Sequence, residues 1–296
     1  MACERLARLS TLMFSTDADK SSRAAWALAV LVFFASALYS FYYHDRPRVD
    51  AAAYDKIGWN VARGLGYVED ETKAGNPKSD EAILRVGPGY ELFLAGVYKL
   101  AGHRIPVVWL MHALLRLFSA LLVFYIAGLL LPGKHAFALT ATGLFGFMPD
   151  LIVINGLLLS ETLFIFLVLT AVYYSLRYIQ RGGEAALWEI IAAGFFWALA
   201  ILTRPVSLLP FGFFLVVLVW KKHFMASALA FLFPLILVGS WSYYASMRYD
   251  SFILTTTAGG YDLWVGNNPG ATGGFEKTPE IQEARRRHSS VELDTI

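Results

Sequence analysis

A series of long apolar runs constrains this chain more than any other feature. They lie near 24–43, 105–131, 134–154, 160–179, 185–203, 206–220 and 224–245. A helix rises about 1.5 Å per residue, so about 20 apolar residues cross the roughly 30 Å hydrocarbon core of a bilayer. Inside lipid, every backbone polar group must find its partner within the segment, which makes such runs helices. The composition agrees: 57% of the 296 residues are hydrophobic and 16% are charged, against roughly 25% charged in soluble domains. The expected fold is an all-α polytopic membrane protein with about seven transmembrane helices and a long first extracytoplasmic loop.

Cys3 is the only cysteine, which excludes an intramolecular disulfide and a cysteine-rich metal site. Lys20 and Arg23 precede the first run, and Ala35-Ser36-Ala37 loosely fits a cleavage signal. The run continues through Tyr43, however, which is long enough to span and reads as an uncleaved helix. Residues 1–23 read as a cytoplasmic tail, 24–245 as the transmembrane domain and 246–296 as an extracytoplasmic segment. Orientation follows from Lys and Arg in short loops. A cytoplasmic N-terminus gathers Lys20, Arg23, Lys134, Arg177, Arg181, Lys221 and Lys222 on the inner side. The loop 44–104 then faces outward.

That loop carries two amphipathic or apolar helices. Ala51, Tyr54, Ile57, Val61 and Leu65 recur at helical spacing from Asp50 onward, and Gly64 and Gly66 suit the helix end. Residues 69–80, with Asn76-Pro77, read as a loop. A second short helix is expected from Pro88 or Gly89 to Leu100, too short to span. A helix is also expected to end before Pro205, because the residue before a proline avoids helical geometry. No internal repeat, P-loop or dinucleotide fingerprint is present, and nothing points to nucleic acid.

Several polar residues have a structural and a chemical reading. Asp50 and Asp55 fit the start of a helix, where acids favour the dipole. Asp50 also sits where the chain first emerges from the membrane, a place for a general base. Arg85 and Arg204 can snorkel to head groups or hold a phosphate. Glu161 opens the fourth run as a helix-start acid or orients a substrate. His112 and Arg116 share a helix face. A charge deep in the bilayer costs roughly 2.5–3.5 kcal/mol on insertion scales, so Arg116 needs a partner, for which Glu161 and Asp150 are candidates. His112 has no second ligand at metal spacing, and Glu189 lies near the inner surface. Asn267-Asn268-Pro269, flanked by Tyr261, Trp264 and Phe275, reads as a turn-rich loop or a sugar-contacting cover.

The order of these pieces resembles the GT-C glycosyltransferases, specifically bacterial relatives of protein O-mannosyltransferases and the lipid A aminoarabinose transferase. The pieces are Asp50-x-x-x-Tyr54, Asn60-Val-Ala-Arg-Gly-Leu-Gly-Tyr67, Leu84-Arg85-Val-Gly-Pro88-Gly-Tyr90, Leu159-Ser-Glu161-Thr162, Leu202-Thr-Arg204-Pro205, and Gly260 through Asn267-Asn268-Pro269 to Phe275. The resemblance implies inverting transfer of a sugar from a polyprenyl-phosphate carrier to a lipid, glycan or protein acceptor on the outer face of the plasma membrane. It implies Asp50 as base, with substrate contacts at Tyr54, Arg85, Tyr90, Glu161, Arg204, Asn267 and Asn268. No organic cofactor is implied, and a divalent cation near Asp50 and Glu161 stays open. The family usually continues beyond this length, so 246–296 reads either as a truncated segment or as the end of an unusually short member, and the stretches Ser240-Trp241-Ser and Met247-Arg248-Tyr249 depart from its Pro-Trp and Arg-Asn. The alternatives are a lipid or sugar transporter, which should gather its polar residues at the midplane, and a carrier-lipid-binding fragment without activity of its own.

Overall fold

The structure, a computed structural model, describes residues 2–76, 80–84, 87–181 and 187–267. Among them the regular elements are all helical: α1 (Ala2–Tyr43), α2 (Asp50–Ala62), α3 (Pro88–Ala101), α4 (Ile105–Leu130), α5 (His135–Gly146), α6 (Pro149–Gly156), α7 (Glu161–Arg181), α8 (Leu187–Thr203), α9 (Leu208–Trp220), α10 (Phe224–Tyr249) and α11 (Ala258–Asn267). Short 3-10 turns complete them.

Among the described residues, four helices are long and apolar enough to cross a membrane: α1 from Asp19, α4, α7 and α10. The bent pair α5 and α6 makes a fifth if it counts as one span, and α8 and α9 are apolar but shorter. The expected count of about seven therefore becomes four to five by length, with two further apolar helices. Proline explains the difference. Pro149 forces Met148 out of helical geometry (φ −60°, ψ 119°) and the axis turns by 46°. Pro205 does the same to Arg204 (φ −147°, ψ 116°), which ends α8 at Thr203 as expected. The polar tail expected at 1–23 is helical from Ala2, continuous with α1. No proline or glycine falls within Ala2–Tyr43 to stop it.

Helix α4 is central and packs on α1, α5 and α7, while α8 lies between α7 and α10. One apolar cluster joins residues of α2, α3, α4 and α7 to α10. A second joins α1, α4 and α5 through Ala25, Ala29, Val32, Leu117 and Ala120. Between helices in lipid, close packing replaces the hydrophobic driving force, so small residues mark the contacts. On α9, Leu209, Phe213, Val216 and Trp220 are exposed, as suits a face turned to lipid.

In the first loop, α2 and α3 pack against each other, with Gly58 against Leu94. The start of α3 is set on the end of α8: a Cβ at Gly89 would stand 2.7 Å from the Thr203 backbone nitrogen. This contact places Tyr90 and Glu91 beside the turn that carries Arg204. The returning loop is tied down by Asp80, whose carboxylate accepts from the Glu69 and Asp70 amides at 2.9 Å and the Ala82 amide at 2.8 Å.

Candidate active site

The site grows from the N-terminus of α2. Asp50 is its first residue and is exposed. Val49 ahead of it has φ 49° and ψ −116°, an outlying conformation for a β-branched residue. That turn breaks the chain direction between α1 and α2 and sets Asp50 at the helix start, where the dipole favours its charge. Tyr54 follows one turn later on the same face and is buried.

Tyr54 is where the predicted residues meet. Burial pushes its phenol well above the ordinary range. The carboxylates of Glu91, Asp50 and Glu161 push it further, and the Arg204 guanidinium pulls it back. Its ring meets Tyr90 edge-on at 5.6 Å. Glu161 opens α7, and its Oε1 accepts from Arg204 Nη1 at 3.0 Å. The second Glu161 oxygen is buried with no hydrogen-bond partner. Arg204 also lies over the Phe164 ring at 5.8 Å. A proline-set turn and a helix start, far apart in sequence, thus present an ion pair to the α2–α3 pair.

Tyr90 is fully buried, and its hydroxyl reaches His112 Nε2 at 3.2 Å. His112 Nδ1 lies 3.1 Å from the Asn155 carbonyl oxygen. A carbonyl only accepts, so in the neutral ring Nδ1 carries the proton and Nε2 accepts from Tyr90. Burial also pushes the Tyr90 phenol up.

The other sequence candidates divide. Arg85 and Asn268 lie outside the described residues, as do Phe275 and the side chains of Tyr261 and Trp264. Asn267 ends α11, and its amide donates to the Leu263 carbonyl at 2.7 Å. Asp55 faces another way: it accepts from the Tyr98 hydroxyl and lies 2.8 Å from His103 Nε2. It lines an open polar cavity of about 580 Å³ with Lys56, Trp59, Arg63 and Glu81. Arg116 is not paired to Glu161 or Asp150. Its Nε donates to Ser36 Oγ at 3.0 Å and its Nη2 to the Gly146 carbonyl. The α5–α6 bend brings that carbonyl, freed at the helix end, into reach. Glu189 is buried and bridges Arg177 and Arg181. Among the described residues, no group of three or more His, Cys, Asp or Glu side chains is arranged to hold a metal ion.

Sequence reasoning missed Glu91. It sits in the first turn of α3, fully buried, and its carboxylate lies near Tyr67, whose phenol is pushed upward by burial and by the Glu91 charge. The signal was available as the one carboxylate in the apolar stretch 88–101.

A family model described as dolichyl-phosphate-mannose-protein mannosyltransferase matches residues 85–244. The match covers more than half of the 296 residues. It includes Tyr90, Glu91, Glu161 and Arg204, and begins after Asp50 and Tyr54. No curated protein and no solved structure matches the chain.

Proposed function

Because the chain belongs to the dolichyl-phosphate-mannose-protein mannosyltransferase family, we propose that it moves a sugar from a polyprenyl-phosphate carrier to a lipid, glycan or protein acceptor, with Asp50 as general base. The chain is a multi-pass membrane protein and a glycosyltransferase of the mannosyltransferase type.

The reading is supported by the convergence at Tyr54 of one exposed carboxylate, Asp50, and one ion pair, Glu161 with Arg204. Asp50 takes the proton of the acceptor hydroxyl or amine as that atom attacks the anomeric carbon. The bond from the anomeric carbon to the phosphate oxygen breaks, and the lipid phosphate leaves with the electron pair. One displacement from the opposite face inverts the anomeric centre. Such proton transfer contributes about 10²–10⁴-fold. Arg204 uses one of its five N–H donors on Glu161, and its remaining donors face the developing phosphate charge. Tyr54 stays a neutral hydroxyl at working pH and supplies a hydrogen bond rather than a charge. The chemistry takes place on the outer face of the plasma membrane, with the N-terminus in the cytoplasm.

The test is sugar transfer from a mixed pool of polyprenyl-phosphate sugars by the intact chain and by Asp50→Asn. Transfer by the intact chain, with roughly 10²-fold or greater loss in a folded Asp50→Asn, is the expected outcome. Equal rates in the two would remove Asp50 from the chemistry.

A further inference from the structure

Arg248 lies in the last turn of α10. Its Nε and Nη2 atoms are shielded from solvent and have no hydrogen-bond partner. The hydroxyl of the next residue, Tyr249, is likewise buried and without a partner. Two guanidinium donors held away from water with nothing to meet them are unfavourable in a folded chain. Arg63, by contrast, donates to Asn60 and Glu71, and Arg204 to Glu161. Arg248 instead holds its Cζ over the Tyr244 ring at 5.8 Å, with its Nε and Nη2 unmet.

The unmet atoms are informative as a pair. Nε and Nη2 form one side edge of the guanidinium, with two parallel N–H bonds that match two oxygens of a phosphate. Gly66, at φ 93°, lies against the guanidinium: a Cβ there would stand 3.4 Å from Nη2 and 3.8 Å from Nη1.

Position selects the source of the phosphate. Helix α10 has 26 residues, about 39 Å at 1.5 Å per residue, so its last turn passes the roughly 30 Å hydrocarbon core into the head-group layer. The site is also separate from the reaction centre. Asp50 begins α2 and Gly66 follows its end, so most of the length of α2, roughly 15–20 Å, lies between them.

We propose that the Nε–Nη2 edge of Arg248 is a receptor for the phosphate of a lipid head group, distinct from the Asp50 centre. The reading does not depend on the donor or on the role of Asp50.

The experiment uses the full chain, delipidated in a zwitterionic detergent, with Arg248→Met, Arg248→Lys and, as an exposed-arginine control, Arg48→Gln. Binding is followed by native mass spectrometry and thermal shift. The probes are short-chain phosphatidic acid, the matching diacylglycerol, and inorganic phosphate. The wild type and Arg48→Gln should bind phosphatidic acid in preference to diacylglycerol. Arg248→Met should bind it at least 10-fold more weakly, and Arg248→Lys should fall between. Without lipid, Arg248→Met should melt at or above the wild-type temperature, because the substitution removes two shielded donors that nothing satisfies. Equal binding of phosphatidic acid by Arg248→Met would overturn the proposal. So would a lipid-free Arg248→Met that melts well below wild type, since the guanidinium would then be a structural member. A shift by inorganic phosphate with none by phosphatidic acid would reassign the edge to free phosphate and overturn the lipid reading.

Discussion

Tyr54 shows how much one residue's surroundings decide. Its raised phenol pKa sets a sign for the pH response. A tyrosine ionises near 10 when unfolded, and this one holds its proton longer when folded. Its contribution to stability is therefore complete below pH 10 and is lost as the pH rises toward the folded value. Melting followed from pH 9 to 11 should show a steeper loss in the wild type than in Tyr54→Phe. The ion pair offers a second residue-scale test. If Glu161 and Arg204 only support the fold, the exchanged pair Glu161→Arg with Arg204→Glu restores activity. If Arg204 faces phosphate, the exchanged protein folds but transfers sugar roughly 10²-fold more slowly. Asp50 and Tyr54 could be picked out from spacing, since residues four apart share a helix face. Glu91 could not be weighed the same way. One carboxylate in an apolar helix reads equally as a surface residue until α2 and the Tyr67 turn are seen to cover it.

Among the elements, the helix ends were the legible part and the helix contacts were not. Prolines and glycines act through their own backbone, so the stop at Thr203 and the limits of α2 and α3 lay close to expectation. Whether a proline interrupts a span or merely bends it depends on what the two halves pack against, which is why the run 134–154 appears as α5 and α6 at 46°. Packing also divides glycines that look alike in sequence. Gly194 of α8 stands against α10, where a Cβ would meet the Ala230 carbonyl oxygen at 2.6 Å. Gly212 of α9 has nothing within 4 Å of that position. Gly194→Ala should destabilise by about 1–3 kcal/mol as the α8–α10 contact is forced apart. Gly212→Ala should stabilise by up to about 1 kcal/mol through helix propensity. Paired denaturation in detergent checks both signs.

For the whole molecule, the proposed topology places α2 and α3 on the outer side of the membrane. The single cysteine makes the test direct. With Cys3 replaced by serine, cysteines introduced one at a time at Gly75 and Lys221 report the two faces. An impermeant thiol reagent added to intact cells should label the first and spare the second. The reverse pattern would invert the topology and move the proposed chemistry to the cytoplasmic face.

By itself the sequence determined the class of molecule and its local grammar. Apolar runs of spanning length leave only helices as a solution, because a backbone in lipid must satisfy itself. The 3.6-residue period set the buried face of α2, and Pro205 set the C-terminal end of α8. Only the tertiary structure decided which polar groups meet. Glu161 pairs with Arg204 across 43 residues, Arg116 turns to Ser36 and Gly146 rather than to an acid, and the Arg248 edge is left unmet. The order of helices along a chain does not fix their lateral neighbours. Electrostatic and hydrogen-bonding partners are fixed by those neighbours, because both interactions act over a few ångströms of space rather than along the chain.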